Sequence, residues 1–286
     1  VVASLPAEPQ GPGPRQILLF VLSAAGAALA LRLAWDFPLA ALIGLFGLLV
    51  GLVARWRSRR RASDVLRSGD VHRVLAQWRH GLQRVPHAET MAPLMTATAL
   101  AAHGWIRRAR HVLRTARRGP AWESALEHRL FVEALLLIFE GRAEQARERA
   151  GALEQLPMPT ALPWLARRIR TLRSATGALA RAFAHEGQAG DRRLMLRAAE
   201  ASPLVFWAMR YGAAIGALDD GDVDHARVLL QDAPSWPDES CFRDFHRELV
   251  EELQRLVGGS PPSAAELAQD GLGGSDQGNQ RDEDRG

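Results

Sequence analysis

Two apolar runs lie near the start of the chain, over residues 17–34 and 39–54, and the residues between them are polar or aromatic. Each run is about one bilayer crossing long, at the short end of the usual ~17–25 residues. The pattern predicts a transmembrane hairpin over residues 16–56. Residues 1–15, rich in Pro, Gly and Ala, are predicted to be a disordered lead.

Arginine flanks the predicted hairpin on one side of the membrane. Arg15 precedes the first run, and a cluster over residues 55–61 follows the second. Because basic residues remain in the cytoplasm, both ends of the hairpin are expected there, with Asp36 outside. A cleaved signal peptide, cut at residues 28–30, is the alternative; it would leave the second run as a lone anchor and place the rest of the chain outside.

A GxxxG pattern lies in the second apolar run, at Gly47 and Gly51. Small residues at this spacing let two membrane helices approach closely. Packing against the first helix of the hairpin is one interpretation, and a homodimer through the same face is the other.

Beyond the apolar runs, one sequence pattern recurs five times. A Gly opens each unit and a Pro closes it about one helix later. The Gly residues are Gly69, Gly104, Gly141, Gly187 and Gly221, and the Pro residues are Pro86, Pro120, Pro157, Pro203 and Pro234. Gly suits a left-handed turn after a first helix, and Pro suits the end of a second. Each unit is therefore predicted to be two antiparallel helices.

Small residues recur at fixed offsets from these glycines. Seven residues before them stand Ala62, Ala97, Ala134, Ala180 and Ala214, and five after them stand Val74, Ala109, Ala146, Arg192 and Ala226. Small side chains in register let paired helices pack closely, and Arg192 is the exception. A period near 34 residues is typical of helix-turn-helix solenoids, whose neighbouring units stack to bury their apolar faces.

These rows resemble the tetratricopeptide repeat (TPR) family over residues 57–234. The sequence departs from that family in lacking its Trp early in the first helix, and in a 46-residue step before Gly187 that predicts about three extra helical turns. An ordinary helical bundle is the alternative. The predicted fold is all-α: a transmembrane hairpin, a TPR-like α-solenoid of about five helix pairs with a capping helix over residues 57–257, and a disordered acidic tail over residues 258–286.

Charge is distributed unevenly along the chain. Every basic residue is Arg, and the net charge of +4 combines +12 over residues 55–118 (15 Arg, 3 acids) with −8 over residues 119–286 (19 Arg, 27 acids). The basic half follows the predicted membrane segment, so Arg59, Arg60, Arg61 and Arg67 are expected to contact anionic lipid. Nucleic acid is a less favoured partner, since only Trp78 and Trp105 could offer stacking platforms in this half.

Catalytic and metal motifs do not stand out in the sequence. The single Cys241 excludes an internal disulfide and CxxC sites, and the nine His residues are scattered. The acidic cluster over residues 219–224 lacks the Glu that a calcium loop has at position twelve. We therefore expect a protein that is not an enzyme and carries no cofactor or metal.

The layout of two crossings followed by TPR-like repeats also resembles the HemY family of membrane proteins associated with heme biosynthesis. That resemblance implies a regulator or assembly factor of a membrane-associated pathway. The leading prediction is an interaction scaffold in the bacterial inner membrane, with two crossings and with its N-terminus and repeats in the cytoplasm.

The TPR resemblance also implies a binding groove formed by the first helix of each pair. In that family, the side chains that line the groove stand thirteen, ten, six and three residues before each turn Gly. The implied partner-binding residues are His128, Phe131, Leu135, Arg181, Tyr211 and Ile215. This surface is mainly apolar, so the expected ligand is an apolar protein segment anchored by Phe131 and Tyr211. The alternative is that these side chains are buried against neighbouring helices.

Overall fold

The computed structural model describes Arg32, residues 38–159 and residues 162–258. The predicted N-terminal lead, the first apolar run apart from Arg32, and the tail beyond Gly258 lie outside these residues. The described residues form helices and turns without a strand, which confirms the all-α class. They belong to two compact units, residues 1–62 and residues 63–286.

Twelve α-helices lie within the described ranges. They are α1 (Pro38–Arg67), α2 (Val71–Leu82), α3 (Ala88–Ala102), α4 (Ile106–Thr115), α5 (Pro120–Ser124), α6 (Leu126–Phe139), α7 (Ala143–Gln155), α8 (Pro163–Phe183), α9 (Asp191–Ala201), α10 (Phe206–Asp219), α11 (Val223–Leu230) and α12 (Cys241–Gly258). A 3₁₀ turn, Pro203–Val205, precedes α10.

The first unit contains the beginning of α1. Apolar side chains from Phe46 to Val53, and Trp56 after them, are largely exposed along this helix. Across the part of the chain that the structure describes, no helix is both long enough and apolar enough to cross a membrane.

In the second unit, four successive helix pairs pack together: α3 with α4, α6 with α7, α8 with α9, and α10 with α11. Short turns join the partners of each pair, so the two helices of a pair run antiparallel. The first helices α3, α6, α8 and α10 also contact one another in series. The apolar core lies between these helices and is made largely of the small residues that the sequence rows single out, among them Ala97, Ala134 and Ala146.

The turns inside three pairs share one hydrogen-bond pattern. Gly104, Gly141 and Gly221 have φ between 71° and 78°, and the N–H after each donates to a carbonyl five residues earlier, as Trp105 does to Leu100 at 2.9 Å. This is the left-handed helix ending that favours glycine.

The prediction for the fourth turn is wrong by two residues. His185, with φ 56°, is the left-handed residue there, and the Glu186 N–H donates to the Arg181 carbonyl at 2.9 Å. Gly187 lies in the loop that follows, and Gly190, with φ 98°, begins α9. The extra residues of this unit are also distributed differently from the predicted three helical turns. Helix α8 has 21 residues against 14 in α6, which is about two extra turns, and loops hold the remainder.

The Arg192 exception has a local reason. Arg192 is half-buried and donates to Asp222 Oδ2 at 2.8 Å, whereas Met195, which is 1% exposed, is a residue of α9 that enters the core. The larger Met side chain fits because Gly212 lies opposite: a Cβ there would be 2.8 Å from Met195 Sδ and 2.4 Å from Leu179 Cδ1. A large residue on α9 is thus matched by a missing side chain on α10.

The segment between α11 and α12 returns to the first helix pairs. The Ser240 hydroxyl donates to the His103 carbonyl at 2.7 Å, and the Cys241 N–H donates to the Gly104 carbonyl at 3.0 Å. A Cβ on Gly69 would be 2.5 Å from Pro234 Cγ. We call residues 231–242 the closing segment, because it joins the end of the helix series to its beginning.

Gly212→Val should lower the free energy of unfolding by about 1–3 kcal/mol, since the added methyl groups overlap Leu179 and Met195 in a close-packed interior. Gly216→Val is the matched control on the same helix, because no neighbouring atom of the described chain lies within 4 Å of its Cβ position. Urea unfolding of both variants measures the difference. Equal costs at the two positions would contradict this packing.

Candidate functional site

A half-open apolar cavity of about 290 Å³ lies among the helices of the second unit. Its apolar lining comes from α2, α3, α6, α7, α8 and the 3₁₀ turn, and includes Trp78, Met95, Phe131, Ile169, Leu172 and Val205. An engineered cavity of about 150 Å³ binds benzene. This cavity is therefore large enough for at least one apolar side chain of a partner.

The first helices of the pairs line the cavity with residues that stand at the same distance from their turns, because such residues lie on the same face of each helix. Counted from the turn residues Gly141 and His185, His128 and Leu172 both stand thirteen residues before the turn, and both line the cavity. His128 is exposed at the rim, whereas Phe131, three residues further along α6, is buried in the wall.

One buried ion pair contributes to the wall. Arg173 is 4% exposed; its Nε donates to Glu127 Oε1 at 3.0 Å, and its Nη1 donates to the Leu156 carbonyl at 2.7 Å. Such an Arg is stable only because its donors are satisfied. The pair thus joins α8 to α6 and to the end of α7, and its charges are already matched.

The predicted groove residues occupy two environments. His128 and Phe131 line the cavity, whereas Leu135, Tyr211 and Ile215 are buried in the core. Tyr211 is 0% exposed, and its hydroxyl accepts a hydrogen bond from Trp236 Nε1 at 2.6 Å. Burial raises the pKa of this hydroxyl. The placement of Tyr211 favours the alternative that it is a packing residue, while Phe131 remains available at the cavity.

Arg181 does not face the interior, because the turn after α8 is at His185. Its Nε and Nη2 donate to the Asp191 carboxylate at 2.8 and 2.7 Å. Burial alone would raise the pKa of Asp191, but the hydrogen bonds from Arg181 and from the Gln188 N–H lower it. Counted from His185, the interior row of α8 is instead Leu172, Ala175, Leu179 and Ala182.

The predicted lipid-contacting arginines lie in both units of the chain. In the first unit, the Arg60 guanidinium lies 3.7 Å from the ring centroid of Trp56, and Arg61 is exposed; the side chain of Arg59 lies outside the described residues. In the second unit, Arg67 is half-buried over Phe206, and its carbonyl accepts a hydrogen bond from Trp207 Nε1 at 2.6 Å. Arg67 thus packs against the start of α10.

Gly47 and Gly51 lie on α1, and within the described part of the chain no atom comes within 4 Å of the position a Cβ would take on either. Both the hairpin and the homodimer through these glycines remain predictions.

Burial shifts the pKa values of two titratable groups in the second unit. Burial raises the pKa of the Cys241 thiol to about 12, so its thiolate is scarce at neutral pH. Burial also lowers the pKa of His103, whose Nδ1 lies 2.8 Å from the Ala99 carbonyl. Over the described ranges, no group of His, Cys, Asp and Glu residues could hold a metal ion.

The two tryptophans that could have stacked on nucleic acid have other surroundings. Trp105 is buried beneath the Arg108 guanidinium, which lies 4.7 Å from its ring centroid. Trp78 contributes to the cavity wall.

Sequence reasoning missed two parts of the site. The Arg173–Glu127 pair joins residues 46 positions apart, and Trp236 reaches Tyr211 from the closing segment. The sequence contains a weak indication of each contact. No acid stands between residues 155 and 185, so a buried Arg173 needs a distant partner, and Trp236 is flanked by Pro234 and Pro237, which favour an extended segment.

Comparisons with protein-family models, with curated proteins and with solved structures find no match for the chain. Its function must therefore be argued from the cavity and the surfaces of the molecule.

Tyr211→Ala should lower the free energy of unfolding by about 3–5 kcal/mol, as for a truncated core aromatic. Tyr211→Phe should cost about 1–3 kcal/mol, since it leaves the Trp236 N–H without its acceptor. Phe131→Ala should cost less than Tyr211→Ala, because the Phe131 ring already borders an empty cavity. Chemical denaturation of the three variants tests this order. Unchanged stability in Tyr211→Ala would contradict the core placement.

Proposed function

We propose that the chain is a non-enzymatic, membrane-anchored interaction scaffold whose TPR-like helix pairs bind an apolar segment of a partner protein. The observation that carries the proposal is the half-open apolar cavity at Phe131 and Leu172. Small-ligand and peptide sites are concave, mostly apolar and equipped with few polar groups. This cavity has that character, and its one buried charge is already paired.

The partner's anchor is an apolar or aromatic side chain. The wall offers an aromatic ring at Phe131 and aliphatic groups at Ile169, Leu172 and Val205. The ion pair in the wall has no free donor aimed at a ligand, so charge recognition inside the cavity contributes little. Hydrophobic burial is then the main source of affinity, at roughly 25 cal/mol per Å² of apolar surface. His128 at the rim is positioned to contact the partner backbone beside the anchor.

The membrane part of the proposal is supported by the apolar pattern of residues 17–34 and 39–54 and by the exposed apolar side chains of α1. A surface of this kind on a helix is stable when lipid or another helix covers it. We place the anchor in a bacterial inner membrane as a two-crossing hairpin, with the N-terminus and helix pairs in the cytoplasm, because Arg flanks both outer ends of the apolar runs.

Photo-crosslinking from the cavity rim tests the binding site. With p-benzoylphenylalanine in place of His128, we expect a specific crosslinked protein in cells of the source bacterium, and none when the same group replaces His111, an exposed His on α4. Leu172→Trp, which fills the cavity, should abolish the product without unfolding the chain. A crosslink that survives the filled cavity would place the binding site elsewhere.

A reporter fusion tests the topology. A reporter that is active only in the cytoplasm, fused after Val257, should be active, and an export-dependent one should not, because Arg15 and the cluster at residues 55–61 hold both ends of the hairpin inside. Strong export activity at this position would overturn the topology and favour the cleaved signal peptide.

A further inference from the structure

The beginning of α8 exposes an apolar pair on the second unit. Leu162, just before the helix, is 62% exposed, and Trp164, in its first turn, is 57% exposed. Indole rings are usually much more buried than this. Trp164 lies in the first two turns of α8, which are the extra length of this helix relative to α6.

Three arginines follow on the same turns. Arg167, Arg168 and Arg170 are exposed, and within the described ranges no carboxylate lies at ion-pair distance from any of them. The other two arginines of α8 differ, since Arg173 is paired with Glu127 and Arg181 with Asp191. The start of the helix therefore carries three positive charges that the described fold leaves unmatched.

This surface adjoins the cavity without lining it. At 3.6 residues per turn, Trp164 and Arg168 lie on one side of α8, and Leu172, four residues after Arg168, continues that side into the cavity wall. Leu162, Trp164 and the three arginines are not among the residues that line the cavity, so a ligand in the cavity does not account for them.

We propose that Leu162, Trp164, Arg167, Arg168 and Arg170 form a second membrane contact that rests on an anionic bilayer surface. Trp is favoured at the membrane interface because its ring is apolar and its N–H is polar. Arginines beside it attract anionic headgroups while their aliphatic stems cover apolar surface. An acidic protein is less favoured, because interface aromatics gain most of their energy by filling a pocket, whereas Leu162 and Trp164 lie exposed beside arginines, as residues at a membrane interface do. This inference rests on the membrane location proposed above.

The test uses the full chain in nanodiscs of phosphatidylcholine, with and without phosphatidylglycerol. An environment-sensitive fluorophore is attached through Leu162→Cys in a Cys241→Ser background, and brominated lipids serve as quenchers. Val228→Cys is the matched control, because Val228 is 60% exposed on α11. We expect strong quenching at position 162 that increases with phosphatidylglycerol, and little at position 228.

Replacing Arg167, Arg168 and Arg170 by Gln should reduce quenching at position 162 toward the control, since each Arg near an anionic surface contributes about a fivefold preference for it. Quenching that is equal at the two positions overturns the inference. So does a fluorescence change caused by soluble polyglutamate but not by phosphatidylglycerol, which would identify a site for acidic protein. A chain that fails to enter the nanodiscs at all would instead refute the proposed anchor.

Discussion

The contact on which the second unit depends is the aromatic cluster that holds the closing segment. Trp236 donates a hydrogen bond to Tyr211, and the Phe242 ring lies 5.2 Å from Tyr211 and 5.1 Å from Phe139, centroid to centroid. These rings fill the space between the first helices at the ends near the turns. None of these four rings lines the half-open cavity at Phe131 and Leu172, which lies elsewhere in the same unit.

Arginine serves two purposes in a chain that has no lysine. Where it is buried or half-buried, it joins helices: Arg173 and Arg181 each join two helices through a carboxylate, and Arg210 donates to the Leu229 carbonyl at 2.8 Å. On the first turns of α8, three exposed arginines have no carboxylate at ion-pair distance within the described ranges, so their charge is free to act on a partner. The planar guanidinium suits both purposes because it is always charged and yet weakly hydrated.

The sequence by itself determined the helical class, the positions of most turns and the small residues between helices. These follow from local rules: Gly at left-handed turns, Pro after helices, and Ala where two helices approach. The same reasoning placed Phe131 and His128 on the face of α6 that lines the cavity, because their distance from the Gly141 turn fixes the face on which they lie.

Only the tertiary structure decided the remainder. His185 replaces Gly187 as a left-handed turn residue, because packing can stabilise a conformation that costs a side chain only about 1–2 kcal/mol. Tyr211 lies in the core because residues 25 positions later return to cover it. Local periodicity predicts which residues share one face of a helix. What packs against that face depends on residues distant in sequence, which only folding brings together.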